Sequence, residues 1–349
     1  MAEAGQTAIK AALIGCGQIG SRYDEGQTRE DVYTHAGMYH RLPQFRLAAL
    51  CDRDERRLRQ AGEAWPEAAL FTDPARMLAE AAPQVVSVAT PDPLHAEHLE
   101  LCLSLAPGGV VFCEKPLAGD AAGARRLLDL AREAKSTLVV DYVRRWERNH
   151  QEFRRALAGG ELGRVQAVVG YYVRGLRHNG CHLVNLAQYF LGPAASVQAV
   201  GARPGEEPRD ALLTMADGTP MHLVAVDRLG YSFSIFEMEF FCQKGRVRFI
   251  DGAERLEEFE VRAHPVFDGF NHLAPRESRW PQRTYGGAML EAGRELALLA
   301  TGQLTESASP ARDALSDLEI FEAIQLSAAQ GCRVAPTPHP GGGQDPMEG

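Results

Sequence analysis

Several features are scarce or missing in this 349-residue chain, and each absence excludes a class of protein. No apolar run is long enough to cross a bilayer, and the first residues have neither the basic region nor the apolar core of a secretory leader. The seven cysteines include no CxxC pair, so we expect neither a zinc site nor a disulfide framework. Lysine and arginine number 37 against 46 acidic residues, and this net charge of −9 argues against a nucleic-acid or anionic-membrane surface. We therefore expect a cytoplasmic protein with neither nucleic-acid nor membrane partners.

The length and the apolar content predict two folded domains. At roughly 150 residues per domain the chain holds two, and its 45% apolar residues are enough to fill their cores. The last residues, APTPHPGGGQDPMEG, are rich in proline and glycine and have no core to form. We place the domains at residues 1–142 and 143–333, with a disordered tail at 334–349.

The first domain alternates strand-like and helix-like segments. Continuous apolar runs occur at AIKAALIG, FRLAALCD, QVVSVAT, GGVVFCE and STLVVDY. Between them, residues 54–65, 93–105 and 120–135 have apolar positions three and four apart, as in amphipathic helices. Strand–helix–strand order gives parallel strands with right-handed crossovers, and continuous apolar strands are typical of a sheet covered on both faces. The pattern predicts an α/β domain with a doubly wound parallel sheet, as in the Rossmann fold.

The second domain has a different pattern. Short strand-like segments such as DALLTMADG, PMHLVAVD and GRVRFIDG are separated by glycine and aspartate turns, which predicts a mainly antiparallel sheet in an α+β domain. We expect two helices, near residues 287–300 and 310–329, to close this sheet.

The segment after the first apolar run carries a dinucleotide-binding pattern. It is GCGQIG, in which the first glycine permits a tight turn, the second lets the backbone approach a pyrophosphate, and the third allows close helix–strand packing. We expect a helix to follow directly and to point its N-terminus at the phosphates. Asp52 ends the second strand, where a carboxylate binds ribose hydroxyls and favours NAD, whereas the neighbouring Arg53 keeps NADP open. The predicted cofactor contacts in this region are Gly15, Gly17, Gln18, Ile19, Gly20, Asp52 and Arg53.

A charged pair ends the strand GGVVFCE. Glu114, Lys115 and Pro116 lie at the carboxyl edge of the predicted sheet, where ligands bind in open α/β folds, together with Thr90 and Pro91. A lysine ammonium there can donate a hydrogen bond to a substrate hydroxyl and stabilise an alkoxide as hydride leaves. The alternative is a surface salt bridge at a strand end.

The chain resembles the Gfo/Idh/MocA oxidoreductase family in GCGQIG at 15–20, CD at 51–52, ATPDPLHAEH at 89–98, CEKPLA at 113–118 and GCHLVN at 180–185. The resemblance implies that residues 1–142 bind the dinucleotide, and that residues 143–333 bind substrate and associate into a homodimer or homotetramer through a large open sheet. It also implies NAD(P)-dependent oxidation or reduction of a carbinol, mostly on sugars and cyclitols. By position, Lys115 resembles the family's catalytic lysine. The residues of this chain that resemble the family's cofactor contacts are Thr90, Pro91, His95, Glu114 and Lys115.

The family's histidine motif is only partly present. Gly180 and His182 match, but His178 stands where an aspartate is usual, and Asn185 stands where another acid often follows. We expect His182 to accept a proton from the reacting hydroxyl. Without the usual aspartate, either His178 takes part in substrate binding, or Lys115 does the proton work and His182 only positions substrate. A histidine pair on a metal and a histidine satisfied within a plain capped helix are two further alternatives.

Arginines near both segments bear on the substrate. Arg144, Arg145 and Arg148 follow the last Rossmann strand, and Arg174 and Arg177 precede the histidine motif. This local excess of arginine indicates an anionic ligand group, with ordinary solvated surface as the alternative. The predicted substrate contacts are Lys115, Arg145, His178, Asn179 and His182.

The distance from the glycine motif to Asp52 exceeds the usual ~20 residues, and we assign the excess to an insertion at 22–37, either a lid or a surface excursion. We expect an NAD(P)-dependent dehydrogenase of a nucleotide-linked or acidic sugar, with a cyclitol as the alternative substrate. A non-catalytic NAD(P)-binding regulator and an NAD-recycling glycosidase are the rival functions.

Overall fold

The computed structural model describes residues 8–26, 30–201, 207–226, 235–281 and 284–337. The chain divides into two compact units, one of residues 1–151 with 283–315 and one of 152–282 with 316–349. The first unit is therefore larger than the segment 1–142 expected from the sequence, because it includes a second, distant stretch of chain. The divisions between the units fall within two helices, after Gln151 and after Leu315.

Regular structure accounts for most of the described chain. The strands are β1 (Ile9–Ile14), β2 (Phe45–Cys51), β3 (Ala69–Phe71), β4 (Val85–Val88), β5 (Val110–Glu114), β6 (Thr137–Asp141), β7 (Val165–Tyr172), β8 (Ala194–Val200), β9 (Asp210–Met215), β10 (Pro220–Ala225), β11 (Phe236–Cys242), β12 (Gly245–Ile250), β13 (Arg255–Ala263) and β14 (Asn271–Arg276). The α-helices are α1 (His35–Arg41), α2 (Glu55–Ala64), α3 (Pro74–Ala81), α4 (His95–Leu105), α5 (Ala121–Glu133), α6 (Arg148–Ala158), α7 (Cys181–Leu191), α8 (Ala288–Ala300) and α9 (Ala311–Gln330).

The first unit contains the parallel sheet predicted from the apolar runs. Its strand order is β3-β2-β1-β4-β5-β6, and every neighbouring pair is parallel. All four residues of β4 and the first four of β5 are buried, as expected for strands covered on both faces. The strand order changes direction between β1 and β4, so the switch point that binds ligands in this fold lies where the glycine motif ends β1.

The helix expected directly after the glycine motif is interrupted. A single helical turn forms at its start, where Ser21 N–H donates to Gly17 O, and the regular helix α1 begins only at His35. His35 N–H donates to Ile19 O at 3.2 Å and Ala36 N–H donates to Gly20 O at 2.9 Å. The helix thus resumes on the carbonyls of the motif itself, and the intervening residues form an excursion from it. The sequence had placed this insertion at 22–37, of which residues 27–29 lie outside the described structure.

A buried carboxylate holds the excursion together. Asp24 Oδ2 accepts hydrogen bonds from Tyr33 N–H at 3.0 Å, Thr34 N–H at 2.8 Å and Thr34 Oγ1 at 2.7 Å. Thr34 then caps α1, since its side-chain oxygen accepts from Gly37 N–H. The Asp24 side chain, near the start of the excursion, therefore fixes the backbone at its end, where the chain returns to α1.

Helix α8 belongs to the first unit, which corrects the expectation that it closes the second sheet. Its apolar residues Met289, Ala292 and Leu296 are buried in the same core as β1, β2 and α1. Gly293 makes this packing close, because a Cβ at that position would lie 2.4 Å from Leu42 Cδ1. The amphipathic pattern of a helix shows which face is buried but not which sheet buries it.

The second unit contains an eight-stranded sheet in the order β14-β13-β12-β11-β7-β10-β9-β8. All neighbouring pairs are antiparallel except β7 and β10, which are parallel. This confirms the prediction of a mainly antiparallel sheet. Phe153, Phe190, Phe240 and Phe249 form an aromatic cluster in its core, with ring centroids between 4.8 and 5.8 Å apart.

The segment predicted as a disordered tail lies mostly outside the described residues. Val334, its first residue, pairs with Val197 of β8 through two backbone hydrogen bonds of 2.8 and 2.9 Å. Within the described parts of the chain, no helix has both the length and the apolar character that crossing a membrane requires.

Candidate active site

The glycine motif forms a tight loop at the end of β1. Gly15 has a φ of +101°, and a Cβ there would lie 2.5 Å from Ala89 O. A Cβ on Gly20 would lie 2.0 Å from Gly15 O, so both positions exclude any other residue. Gly17 differs, since nothing lies within 4 Å of the Cβ it lacks. Gly15 and Gly20 therefore allow the loop to close tightly, whereas the loop is open at Gly17, where the motif predicts the approach of a pyrophosphate.

Asp52 connects this loop to the end of β2. One carboxylate oxygen, Oδ2, accepts from Cys16 N–H at 2.9 Å, and the other, Oδ1, accepts from Asp54 N–H at 2.8 Å. Each oxygen keeps a further lone pair for a ribose hydroxyl. Asp54 in turn caps α2 by accepting from Arg56 and Arg57 N–H.

A cavity of about 220 Å³ lies at the carboxyl ends of β1, β2 and β4. Its lining brings together six of the predicted cofactor contacts, Gly15, Gly17, Asp52, Arg53, Thr90 and Pro91. The volume is below the 300–1,000 Å³ of a typical drug-sized site, so the cavity fits part of a dinucleotide. An open glycine backbone beside a carboxylate that can take ribose hydroxyls fits an adenosine diphosphate group.

Sequence reasoning missed several residues of this cavity. His98, which is not among the predicted cofactor contacts, lines it together with Arg57 and Leu94. His98 Nδ1 lies 3.2 Å from Thr90 Oγ1, and burial lowers the pKa of His98 below its usual value. Its spacing of three residues from His95 was the available signal, because residues one helical turn apart share a face.

His95, a predicted cofactor contact, does not line this cavity. Its ring is fully buried between two carbonyl oxygens, with Nδ1 2.6 Å from Pro116 O and Nε2 2.7 Å from Thr90 O. Both nitrogens are engaged in joining the segment after β4 to the turn after β5. His95 therefore positions cofactor-binding segments. Gln18 is exposed and Ile19 packs against the apolar core, and neither lines the cavity.

Glu114 and Lys115 follow β5 at the same edge of the sheet. The Glu114 side chain is 15% exposed, and its Oε1 lies 3.4 Å from Nε2 of the buried His35. Lys115 is half-buried, and within the described parts of the chain it forms no hydrogen bond or ion pair. Its ammonium group is thus available to a ligand at the carboxyl edge, the position predicted for the catalytic lysine.

Arg145, a predicted substrate contact, is buried within the first unit. This residue was expected to bind substrate, but it is only 1% exposed. Its Nη1 donates to Ala308 O at 3.0 Å and forms an ion pair with Asp313. The guanidinium therefore fastens the segment 283–315 to the rest of the first unit. Neighbouring Glu147 has a related role, since its buried carboxylate accepts from Thr284 Oγ1 and contacts His150.

The histidine motif lies in the second unit, on a continuous helical segment. Residues Leu176–Gly180 form a π-helical turn that leads directly into α7. His178 is exposed, Asn179 is half-buried, and His182 is half-buried on the first turn of α7 with its ring 5.9 Å from that of Phe236. π-Helical turns are frequent at functional sites, which agrees with the predicted role of this segment.

Asn185, which stands where an acid often follows the histidine, forms a hydrogen bond with a carboxylate from another helix. Its Nδ2 donates to Asp317 Oδ2 at 2.7 Å, and Gln188 Nε2 donates to Asp317 Oδ1 at 2.8 Å. Asp317 on α9 is fully buried. The carboxylate behind α7 is thus supplied by α9, and Asn185 serves as its hydrogen-bond donor.

Comparison with known proteins agrees with this geometry. A sequence model of the family described as "Oxidoreductase family, NAD-binding Rossmann fold" matches residues 9–142. D-Glucoside 3-dehydrogenase of Escherichia coli strain K12 is 29% identical over 213 residues, covering 56% of this chain and 57% of that protein. D-Apiose dehydrogenase of Paraburkholderia graminis is 27% identical over 361 residues, covering 93% of this chain and 88% of that protein.

Solved structures share the fold. The WlbA dehydrogenase from Bordetella pertussis, in complex with NADH and UDP-GlcNAcA, superposes with a TM-score of 0.73 over 95% of this chain and all of that chain, at 22% identity. The parallel sheet with its glycine loop agrees with the match of residues 9–142 to the NAD-binding Rossmann domain of the Gfo/Idh/MocA oxidoreductase family.

Proposed function

We propose that this protein is an NAD-dependent dehydrogenase or reductase that transfers a hydride between the nicotinamide and a secondary carbinol of a sugar. The observation that carries the proposal is Lys115, a lysine without a protein partner in the described structure, at the same sheet edge as the glycine loop. The relatives named above act, by their names, on a glucoside and on apiose.

The proposed division of roles follows from the side chains. The glycine loop, Asp52 and the segment Thr90–Pro91 hold the cofactor, and Arg53 and Arg57 in the same cavity leave NADP as an alternative to NAD. The nicotinamide, when bound, supplies the acceptor or donor of the hydride. Lys115 Nζ donates a hydrogen bond to the reacting oxygen and stabilises negative charge there. His182 accepts the hydroxyl proton, and His178 and Asn179 bind substrate hydroxyls.

The favoured substrate is a nucleotide-linked or acidic sugar, with a cyclitol as the alternative. With Arg145 assigned to structure, this preference rests on Arg174 and Arg177, both exposed beside the π-helical turn. A guanidinium pairs well with a carboxylate or a phosphate.

The test is the absorbance of reduced nicotinamide with NAD or NADP and a panel of nucleotide sugars, sugar acids, free sugars and inositols. Lys115→Met should lower turnover by about 10²- to 10³-fold, the usual effect of removing one donor that stabilises developing negative charge, and leave cofactor affinity nearly intact. Lys244→Met is the matched control, because this exposed lysine only donates to Gly160 O at the surface of the second unit.

Other outcomes would replace the proposal. Turnover that is unchanged in Lys115→Met would remove the catalytic assignment. Silence across the panel, with cofactor binding confirmed by thermal shift, would favour a non-catalytic binding protein. Product formation without net change in NADH would favour a glycosidase that recycles its NAD.

We also propose a cytoplasmic homodimer or homotetramer that associates through the second sheet. All seven cysteines are free thiols, as is usual in a reducing compartment.

Large apolar side chains are exposed along β13, β14 and the turn between them, namely Val261, Val266, Phe267, Phe270 and Leu273. Light scattering that gave the mass of a single chain would contradict this assembly.

A further inference from the structure

A buried cluster of titratable side chains lies directly behind the Glu114–Lys115 turn. His35 at the start of α1, Glu114 at the end of β5 and Asp141 at the end of β6 bring ligand-type atoms within 4.8 Å of one another. His35 Nε2 is 3.4 Å from Glu114 Oε1 and 3.7 Å from Asp141 Oδ2. Within the described residues this is the one such group of three or more. The proposed reaction assigns it no role.

The strand register and the helix hold this cluster in place. Glu114 and Asp141 are opposite each other in the parallel pair β5–β6, so both carboxyls end their strands at the same height. On the other side, His35 Nδ1 lies 2.9 Å from Ser87 Oγ, and Ser87 Oγ lies 2.7 Å from the hydroxyl of Tyr39. His35 and Ser87 are both fully buried. The contact of Nδ1 with Ser87 therefore orients the imidazole, and its Nε2 faces the Glu114 and Asp141 carboxyls.

The environment of Asp141 is that of a neutral acid. Its Oδ1 is buried without a hydrogen-bond partner, and a carboxylate anion would leave that oxygen uncompensated. Burial first, and then the charge of Glu114 and a hydrogen bond with it, raise the pKa of Asp141 well above its usual value, while Lys115 opposes the shift. The Glu114 and Asp141 carboxyls lie within 4.8 Å of each other, and two carboxylate anions so close repel, so a proton on one of them stabilises the pair. The titratable groups facing Asp141 are Cys113, Glu114 and Lys115 from β5 and its end, and His35 and Tyr39 from α1.

We propose that Asp141 is a protonated carboxylic acid that shares its proton with Glu114, and that Glu114, Asp141 and His35 form a positioning cluster for Lys115. With one proton on the pair, the cluster presents a single negative charge to the Lys115 ammonium. A second charge would draw the ammonium into an ion pair with the cluster and away from a bound hydroxyl. The described structure agrees, since no ion pair of Lys115 occurs in it. The effect on Lys115 rests on the proposed function, whereas the protonation state does not.

The first experiment measures the protonation state without turnover. An infrared difference spectrum between the wild-type protein and Asp141→Asn at neutral pH should show the loss of a protonated carboxylic acid C=O band, which shifts in D₂O. Asp129→Asn is the matched control, because this exposed carboxylate pairs with Arg132 at the surface and should remove only a carboxylate band. A carboxylate band lost in Asp141→Asn as well would overturn the proposal.

The second experiment measures positioning in the working enzyme. Asparagine has the shape of a protonated aspartic acid and no charge, so kcat of Asp141→Asn should stay within about threefold of wild type. In the wild type, kcat should decline at alkaline pH, where Asp141 ionises and pairs with Lys115, and this decline should disappear in Asp141→Asn. Asp141→Ala removes the partner of Glu114 and should lower kcat by roughly tenfold to a hundredfold with little change in KM, as expected when a reacting group is misplaced.

Three results separate the outcomes. Asp141→Asn as inactive as Lys115→Met would show that the anion is required and would overturn the proposal. Stoichiometric bound metal with activity lost on chelation would make the cluster a metal centre and would overturn it equally. A wild-type protein silent on every substrate would refute the proposed dehydrogenase, and the infrared result would then decide the protonation state alone.

Discussion

Arg145 was expected to bind substrate, and its replacement by methionine separates that role from the structural one. The Arg145 side chain is 2% exposed and forms an ion pair with Asp313, whose own side chain is 35% exposed. Removing one partner of a fully buried ion pair destabilises a protein by about 3–5 kcal/mol. Because Asp313 keeps contact with water, and because methionine preserves the packing of the arginine stem, we expect a smaller loss, about 2–3 kcal/mol.

The assay is urea denaturation, with the free energy of unfolding taken from the transition of the first unit, and with substrate KM and cofactor Kd measured beside it. We expect KM and Kd to stay within about twofold. Arg132→Met is the matched control, since this arginine is 78% exposed and its pair with Asp129 should contribute less than about 1 kcal/mol. Unchanged stability together with a tenfold rise in KM would refute the structural assignment and restore the substrate role.

The remaining predictions concern the glycine loop and the excursion. Gly20→Ala should lower stability by about 2 kcal/mol, because its Cβ would lie 2.0 Å from Gly15 O. It should also weaken cofactor binding, because the loop that approaches the pyrophosphate must shift to make room for the methyl group. Gly17→Ala should weaken cofactor binding alone, since its Cβ meets nothing within 4 Å, and calorimetric titration beside thermal unfolding distinguishes the two variants. Asp24→Ala should destabilise the protein by about 2–4 kcal/mol in urea denaturation, because three hydrogen bonds to one oxygen are lost and the Thr34 donors are buried. An Asp24→Ala protein as stable as wild type would show that the excursion does not depend on this carboxylate.

The sequence predicts the two sheets well because their signals are local. Five of the six strands of the first sheet lie in the apolar runs, whereas the short edge strand β3 is largely exposed and has no such signal. The rule of right-handed crossovers leaves few ways to order such strands. The glycine motif and Asp52 are equally local, since a tight turn and a strand end are fixed by neighbouring residues. These features were therefore accessible from residue type and spacing.

The errors concern contacts between residues distant in the chain. Arg145 pairs with Asp313 at a separation of 168 residues, and a run of arginines near a strand end does not show which guanidinium is covered. The same applies to α8, whose apolar face fits either sheet. His95 and His98 lie one helical turn apart on the same face of α4, and the sequence does not show which of the two is enclosed by carbonyl oxygens and which lines the cavity.

The interrupted helix has a consequence for how this chain can change over evolution. The excursion leaves the helix after Gly20 and returns at His35, and these two ends are joined by the hydrogen bonds from His35 and Ala36 to Ile19 and Gly20. A segment whose ends already touch can be lengthened, shortened or exchanged at small entropic cost, since closing a loop of doubled length costs only about 0.6 kcal/mol more. We therefore expect related chains to differ in the length and sequence of this excursion, while β1 and β2 on either side keep their register.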